Sequence, residues 1–350
     1  TDDYGRLFHN WNSAPAQGEF LRPNSLMKNP DLQFKMKAHS IGGNRVYPIR
    51  VNTGVNRGYM PDILIAEGPD KDELANFTAA SGNAIYRGDQ FPSRFYGVSF
   101  TPEPAANLIS VREVIEQDGQ FIGKELYNQS EILASTDERF RPVNLYTAPD
   151  GTLYIVDMYH GVIQHKEFIT PYLREQAKSR GLDKFNTTMG RIYRLRWQNN
   201  KLGEQPNLAN KSPAELVPYL AHDNGWWRDI SRRLIVQAND QTVVEKITEI
   251  VVASDDHKAK INALWALEGL NAINLKVIHA GLYAKHPKVQ ISAIALSTAL
   301  NSEDQQKVSQ RLSELAQSEY QVALQIALTA GELQTDNAFE LINVVLAKYE

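Results

Sequence analysis

The sequence predicts a multidomain β + α architecture: a partial β-propeller of about three blades followed by a HEAT- or armadillo-like α-solenoid. Three observations predict it. Two β-rich runs, Val143 to Thr147 and Thr152 to Met158, flank Ala148-Pro149-Asp150-Gly151, where Pro149 fixes φ and Gly151 supplies a positive φ, so the chain must reverse into an antiparallel hairpin. Three further short strands precede the hairpin at close spacing, as a meander requires. Beyond a polar stretch the hydrophobic period switches from 2 to 3.6. We therefore place the propeller over 1–200, a linker over 201–211 and helical repeats over 212–350.

Taken in order, Gly5 to Trp11 reads as a strand, and Pro23, Asn24, Asn29 and Pro30 mark loops. A short strand, Val46 to Val51, lies between two polar runs, Gly42 to Asn44 and Asn56 to Gly58. The meander is Val98 to Thr101, Leu108 to Ile115 and Phe121 to Tyr127, with turns at Pro102-Glu103-Pro104 and Asp118-Gly119. In the hairpin, Leu153 to Val156 is apolar on both faces, the pattern of a strand sandwiched between neighbouring sheets. Residues 166–189 interrupt the strands with a helical insertion around Pro171 to Gln176, placed to cover one mouth of the propeller, before Gly190 to Trp197 resumes strand character.

Lys201 to Lys211, with Gly203, Pro206 and several Asn, is the linker. Ser212-Pro213-Ala214-Glu215 then starts a helix with Ser at the N-cap, Pro at the first position and Glu at the third. The runs GWWRDISRRLIV, AKINALWALEGL, PKVQISAIALSTAL and YQVALQIALTAGEL recur at about 30–45 residues, each followed by a second helix, so each pair buries its stripe by stacking on the next.

Composition narrows function. The chain has 37 basic and 41 acidic residues, a formal charge of −4, which gives no global field for nucleic acid. No apolar run approaches the roughly 20 residues that span a bilayer. Cysteine is absent, which excludes disulfides, thiolate zinc, iron–sulfur clusters and covalent c-type haem within these residues. Thr1 is followed by neither a charged nor an apolar leader region, so an internal piece of a longer precursor is expected.

Several side chains are candidates for chemistry, each against a structural alternative. Arg139 and Arg141 precede the inner strand of a blade, at the channel mouth, where a guanidinium can hold a carboxylate-bearing cofactor or sugar hydroxyls; the alternative is an ion pair with Asp137 or Glu138. Asp157, Tyr159, His160 and His165 follow the hairpin's second strand, and Asp157 with His165 can act as orienting group and base toward an alcohol; the alternative is a turn-capping Asp and a structural His. Tyr86 and Arg87 sit in IYRGDQFP as further cofactor contacts, while Asp89, with Glu103 of PEPAAN, can offer oxygen ligands to Ca²⁺; hydrogen bonds that lock blades are the alternative. Trp11 and Asn12, beside His9 and Asn10, suit stacking on a sugar, or Trp11 is core. Trp226 and Trp227 read as the apolar face of a helix.

RPVNLYTAPDGTLYIVDMYHGVIQH at 141–165, with GRLFHNWNS at 5–13, IYRGDQFP at 85–92, GVSFTPEPAANLI at 97–109 and GRIYRLRW at 190–197, resembles a family of membrane-bound dehydrogenases, large secreted proteins of planctomycetes, verrucomicrobia and related bacteria. The resemblance implies a propeller similar to soluble quinoprotein glucose dehydrogenases, HEAT-like helices and, commonly, a cytochrome c domain that here would lie outside the chain. It further implies a periplasmic or cell-envelope protein that oxidises a sugar or related alcohol with pyrroloquinoline quinone (PQQ) and Ca²⁺ and passes electrons to c-type haem. In such quinoproteins a His takes the alcohol proton, and the motif that carries it has no clear match here. The rival expectation is a non-catalytic propeller and HEAT module that docks a glycan or a redox partner protein. Converging Arg141, Asp157 and His165 would mark the enzyme; the same side chains paired off internally, with aromatic exposure on the helices, would mark the module.

Overall fold

The computed structural model describes residues 1–27, 38–52, 55, 61–184, 188–202 and 205–349; Asn29, Pro30, the polar run at 56–58 and Gly203 lie outside them. The fold is mixed β and α: among the described residues all strands fall between Phe8 and Leu195, and every α-helix but one follows Lys211. The chain divides into two compact units, one of 1–23 with 35–203 and the other of 24–34 with 204–350. No helix among the described residues is long and apolar enough to cross a membrane.

Among the described residues the first unit holds three antiparallel sheets. Strands β1 (Phe8–Trp11), β2 (Ala14–Gly18) and β3 (His39–Ser40) form one, in that order. Strands β4 (Ala84–Ile85), β5 (Ser99–Glu103), β6 (Leu108–Gln117) and β7 (Gln120–Glu125) form the second, with β8 (Leu133–Ala134) on the first residues of β6. Asp118 and Gly119 both take positive φ, 48° and 76°, the two-residue turn whose twist matches the β6–β7 hairpin. In the third sheet β10 (Leu153–Asp157) lies between β9 (Pro142–Thr147) and β11 (Arg191–Leu195). The β9–β10 turn closes where the Gly151 N–H meets the Ala148 carbonyl, Gly151 at φ +76°, and the Asp150 carboxylate accepts the Thr152 N–H at 3.0 Å.

The second and third sheets share a core of Tyr86, Phe91, Phe95, Phe100 and Ile109 with Leu145, Leu153 and Ile155. Tyr86 stacks on Phe91 with centroids 4.5 Å apart, and burying each such side chain contributes roughly 1.5–3 kcal/mol. Helix α1 (Pro171–Ser179), capped by the Thr170 side chain, occupies the expected helical insertion and buries Leu173 and Ala177.

Three local expectations need correction. Val46 to Val51 is not a strand: Val46 donates its N–H to Ala75, the Tyr47 N–H is taken by the Glu131 carboxylate at 3.1 Å, and Pro48 has no N–H, which leaves one isolated bridge, Arg45 to Asn76. Strand β5 runs on through Glu103, so the turn falls later, at Asn107 with φ 59°. In β10 Leu153, Ile155 and Asp157 are covered, whereas Tyr154 and Val156 are half-buried; the two-sided apolar pattern reflects a central strand, not two covered faces.

In the second unit the short α2 (Pro213–Leu216) begins with the expected capping box of Ser212 and Glu215. Four helix pairs follow: α3 (Gly225–Ala238) and α4 (Val244–Ala253), α5 (His257–Gly269) and α6 (Leu275–Leu282), α7 (Pro287–Leu296) and α8 (Ser302–Ala316), α9 (Tyr320–Ala330) and α10 (Ala338–Tyr349). Side chains of Asn224, Asp256, Asn274, His286 and Asn301 cap α3, α5, α6, α7 and α8. First helices pack on first helices, α3 on α5, α5 on α7 and α7 on α9, and second helices likewise from α4 to α10. Gly281 permits close approach of α6 to α7, since a Cβ there would stand 2.6 Å from that of Ala293.

Candidate functional site

Three of the polar residues that the sequence singles out, Glu103, Arg141 and Asp157, meet where β5 and β10 end and β9 begins. A register irregularity between Val156 and Asp157 ends the β9–β10 ladder, and there the buried Asp157 carboxylate turns onto the backbone. One oxygen, Oδ1, accepts the N–H groups of Arg141 and Tyr159, each at 2.7 Å. The other, Oδ2, is buried with no hydrogen-bond partner among the described residues, and burial raises the Asp157 pKa.

Arg141 is spent on backbone. Its Nη1 donates to the Pro104 carbonyl at 2.6 Å, Nε to His160 at 3.1 Å and Nη2 to Gly161 at 2.9 Å, and burial pushes its pKa down to about 10. Glu103 is fully buried and equally committed: Oε2 accepts from the N–H groups of Thr78 and Ala79, and Oε1 from that of Ala105. Burial pushes its pKa up to about 7 against those donors and the Arg141 charge. Arg141 thus carries the positive charge that both Glu103 and Asp157 feel.

Around this centre Glu138 bridges Arg50 at 2.7 Å and Arg180 at 2.6 Å, and Arg50 also donates to Asn107 Oδ1 at 2.9 Å. The Asn107 amide in turn donates to the Phe140 carbonyl at 2.7 Å. At the rim, Tyr159 sits in the left-handed region at φ 46°, uncommon for a bulky side chain. Its hydroxyl donates to Asp137 at 2.8 Å, and the Arg191 guanidinium lies 3.4 Å from its ring centroid. Arg139 donates from its backbone to Asp137 and from its guanidinium to the Gly181 carbonyl at 2.8 Å.

The fold thus gathers Arg141, Asp157 and Glu103 and leaves the other candidates elsewhere. His165 is 83% exposed, with Glu167 4.0 Å away as its nearest acid, and makes no contact with Asp157 among the described residues. Tyr86 is buried, donates to the Gly151 carbonyl and accepts the Phe91 N–H at 3.0 Å. Arg87 pairs with Asp3 at 2.6 Å. Asp89 is exposed, its carboxylate against Gly151, and no contact joins it to Glu103. Every Glu103 oxygen takes a backbone donor. Among the described residues no group of three or more His, Cys, Asp or Glu gathers as a metal-binding set. Trp11 is 67% exposed rather than core, with Asn12 exposed beside it, whereas Trp227 is buried with Trp226 edge-on against it.

Sequence reasoning missed Arg50, Arg180 and the Tyr159–Arg191 stack. The first two reach Glu138 across long sequence separations that no local pattern records, and only the unusual density of Arg in GRIYRLRW hinted at the third. Residues 1–199 match the model of a family described as a domain of unknown function (DUF7133). No curated protein and no solved structure matches the chain.

Proposed function

Since the chain belongs to the DUF7133 family through residues 1–199, we propose that it works as a non-catalytic binding module, propeller-type blades followed by HEAT-like repeats, that docks a glycan at the cell envelope. One observation carries this reading: the charged side chains at the strand ends are consumed internally. Arg141 holds three carbonyls, Glu103 takes three N–H groups, Glu138 takes two arginines and Arg87 takes Asp3. Such groups lock loops together and have little left for a substrate. The exposed side chains include aromatics, Trp11 and Tyr146 on the β unit and Tyr283, Tyr320 and Phe339 on the helices. The helix starts at Gly225, His257, Pro287 and Tyr320, about 30 residues apart, support the HEAT-like part.

The rival reading, a fragment of an exported sugar or alcohol dehydrogenase that works with PQQ and a c-type haem partner, draws support from the resemblance and from Asp157 Oδ2, a buried carboxylate oxygen without a donor. Dye-linked oxidation of sugars and alcohols by the purified chain, with and without added quinone and Ca²⁺, separates the two. The binding module shows no turnover in any combination and retains a polysaccharide in affinity electrophoresis. Turnover that is lost in Asp157→Asn would establish the dehydrogenase instead.

A further inference from the structure

The third sheet turns one face to its core and the other to solvent. On the outward face the register sets Tyr154 of β10 opposite Tyr146 of β9 and Arg194 of β11, and, in the next row, Val156 opposite Asn144 and Ile192. Tyr146 is 56% exposed and Ile192 71%, and Arg194 is exposed. Two tyrosines directly opposite on adjacent strands stand about 5 Å apart at Cβ, close enough for both rings to meet one ligand.

The polar atoms around this platform are already oriented. The Asn144 amide donates to the Tyr146 hydroxyl at 2.8 Å. Arg194 meets Asp150 through one nitrogen at 3.2 Å, and 45% of its side chain stays exposed, unlike the buried Arg87; Asp150 is itself buried and fixed by the Thr152 N–H. The outward positions of the three strands carry no acid, Asp150 is the carboxylate that pairs with Arg194 at 3.2 Å, and the exposed Arg196 follows Arg194 on the edge strand. A protein surface that covered this face would have to desolvate a tyrosine hydroxyl and guanidinium groups against an apolar neighbour. A sugar ring instead lays its C–H face on a tyrosine while its hydroxyls and acid groups meet amide and guanidinium donors.

We propose that the outward face of the β9–β10–β11 sheet is the seat of an acidic polysaccharide, one bearing uronate carboxylates, with Tyr146 and Tyr154 as stacking platform and Arg194 as the acid-reading group. The proposal rests on the binding-module reading and names its ligand and its site. It is tested by affinity electrophoresis and calorimetry of the full chain with polygalacturonate, with a neutral β-glucan as control. The wild type should be retarded by polygalacturonate at least tenfold more strongly than by the neutral glucan, with the effect reduced by added salt. The pair Tyr146→Ala and Tyr154→Ala should lose at least tenfold in affinity, and Arg194→Gln should lose the preference for the acidic polymer. Tyr146→Phe with Tyr154→Phe should keep most of the binding, a readout that a damaged fold would not give. Absence of polygalacturonate binding, equal binding of both polymers, or unchanged binding in the alanine pair would overturn the proposal. Retention of the neutral glucan alone would overturn it and leave the binding module standing, whereas quinone-dependent turnover would remove the module reading itself.

Discussion

Asp157 holds Arg141 by its backbone N–H, at 2.7 Å, while the Arg141 guanidinium is used on the carbonyls of Pro104, His160 and Gly161. The carboxylate read in the sequence as an orienting group and the guanidinium read as a cofactor contact are thus both bonded to backbone of the same loops. Removing the guanidinium strands three carbonyls at a partly buried position, each worth about 1–3 kcal/mol if left unpaired, with water recovering part of it. Arg141→Met should therefore lower stability by about 2–4 kcal/mol in urea denaturation. A ligand-contacting arginine would instead show unchanged stability and lost binding.

Glu103 predicts the pH dependence. Its pKa stands at about 7 in the folded chain, above roughly 4.3 in the unfolded one, because burial penalises the charge. The folded state then holds more protons between those values, so stability falls as pH rises. The contribution is complete below about pH 4.3 and lost on passing about pH 7. Glu131, pushed up to about 7 by burial beside Ser110 and the Tyr47 N–H, acts in the same direction. Unfolding free energy measured from pH 5 to 8 should decline in the wild type by on the order of 1–3 kcal/mol more than in Glu131→Gln. Parallel profiles would show that Glu131 titrates as it does in water.

The sequence announced what short-range chemistry decides. Asp118-Gly119 and Pro149-Asp150-Gly151 each fix a hairpin turn through the φ values their residues accept, and Ser212 with Glu215 caps a helix within four residues. Val46 to Val51 misled because a strand needs a partner. Its N–H groups go instead to the Glu131 carboxylate and the Ala75 carbonyl, which leaves no ladder. The site divides in the same way. Arg141, Asp157 and Glu103 were legible as unusual polar residues at strand ends, but their partners are carbonyls and amides set by loop geometry, which composition cannot show. The exposure of Tyr146 and Ile192 was hidden by the apolar pattern of β10, which looks alike whether the outer face is covered or open.

Tyr159 offers a direct test of backbone strain. At φ 46° a Cβ costs about 1–2 kcal/mol relative to glycine, while the Arg191 stack and the bond to Asp137 return about 0.5–1 kcal/mol each. Tyr159→Ala keeps the strain and loses both contacts, so it should be less stable than the wild type by about 1–2 kcal/mol. Tyr159→Gly loses the contacts and the strain together, and should exceed the alanine variant by about 1 kcal/mol despite its smaller side chain. Equal stabilities of the two variants would mean that the left-handed conformation relaxes once the ring is gone.

Arg87 and Asp3 decide whether IYRGDQFP serves a cofactor or the fold. The two are linked twice, by Nε at 2.7 Å and Nη2 at 2.6 Å, with both side chains more than nine-tenths covered, and Tyr96 donates its hydroxyl to the same carboxylate. Breaking such a pair from one side leaves an uncompensated charge and costs about 3–5 kcal/mol, whereas removing both charges costs much less. Asp3→Asn and Arg87→Met should each be strongly destabilising, and the double variant should be more stable than the sum of the two by at least about 1.5 kcal/mol. Additive losses in a denaturation cycle would free Arg87 from Asp3 and reopen its role toward a ligand.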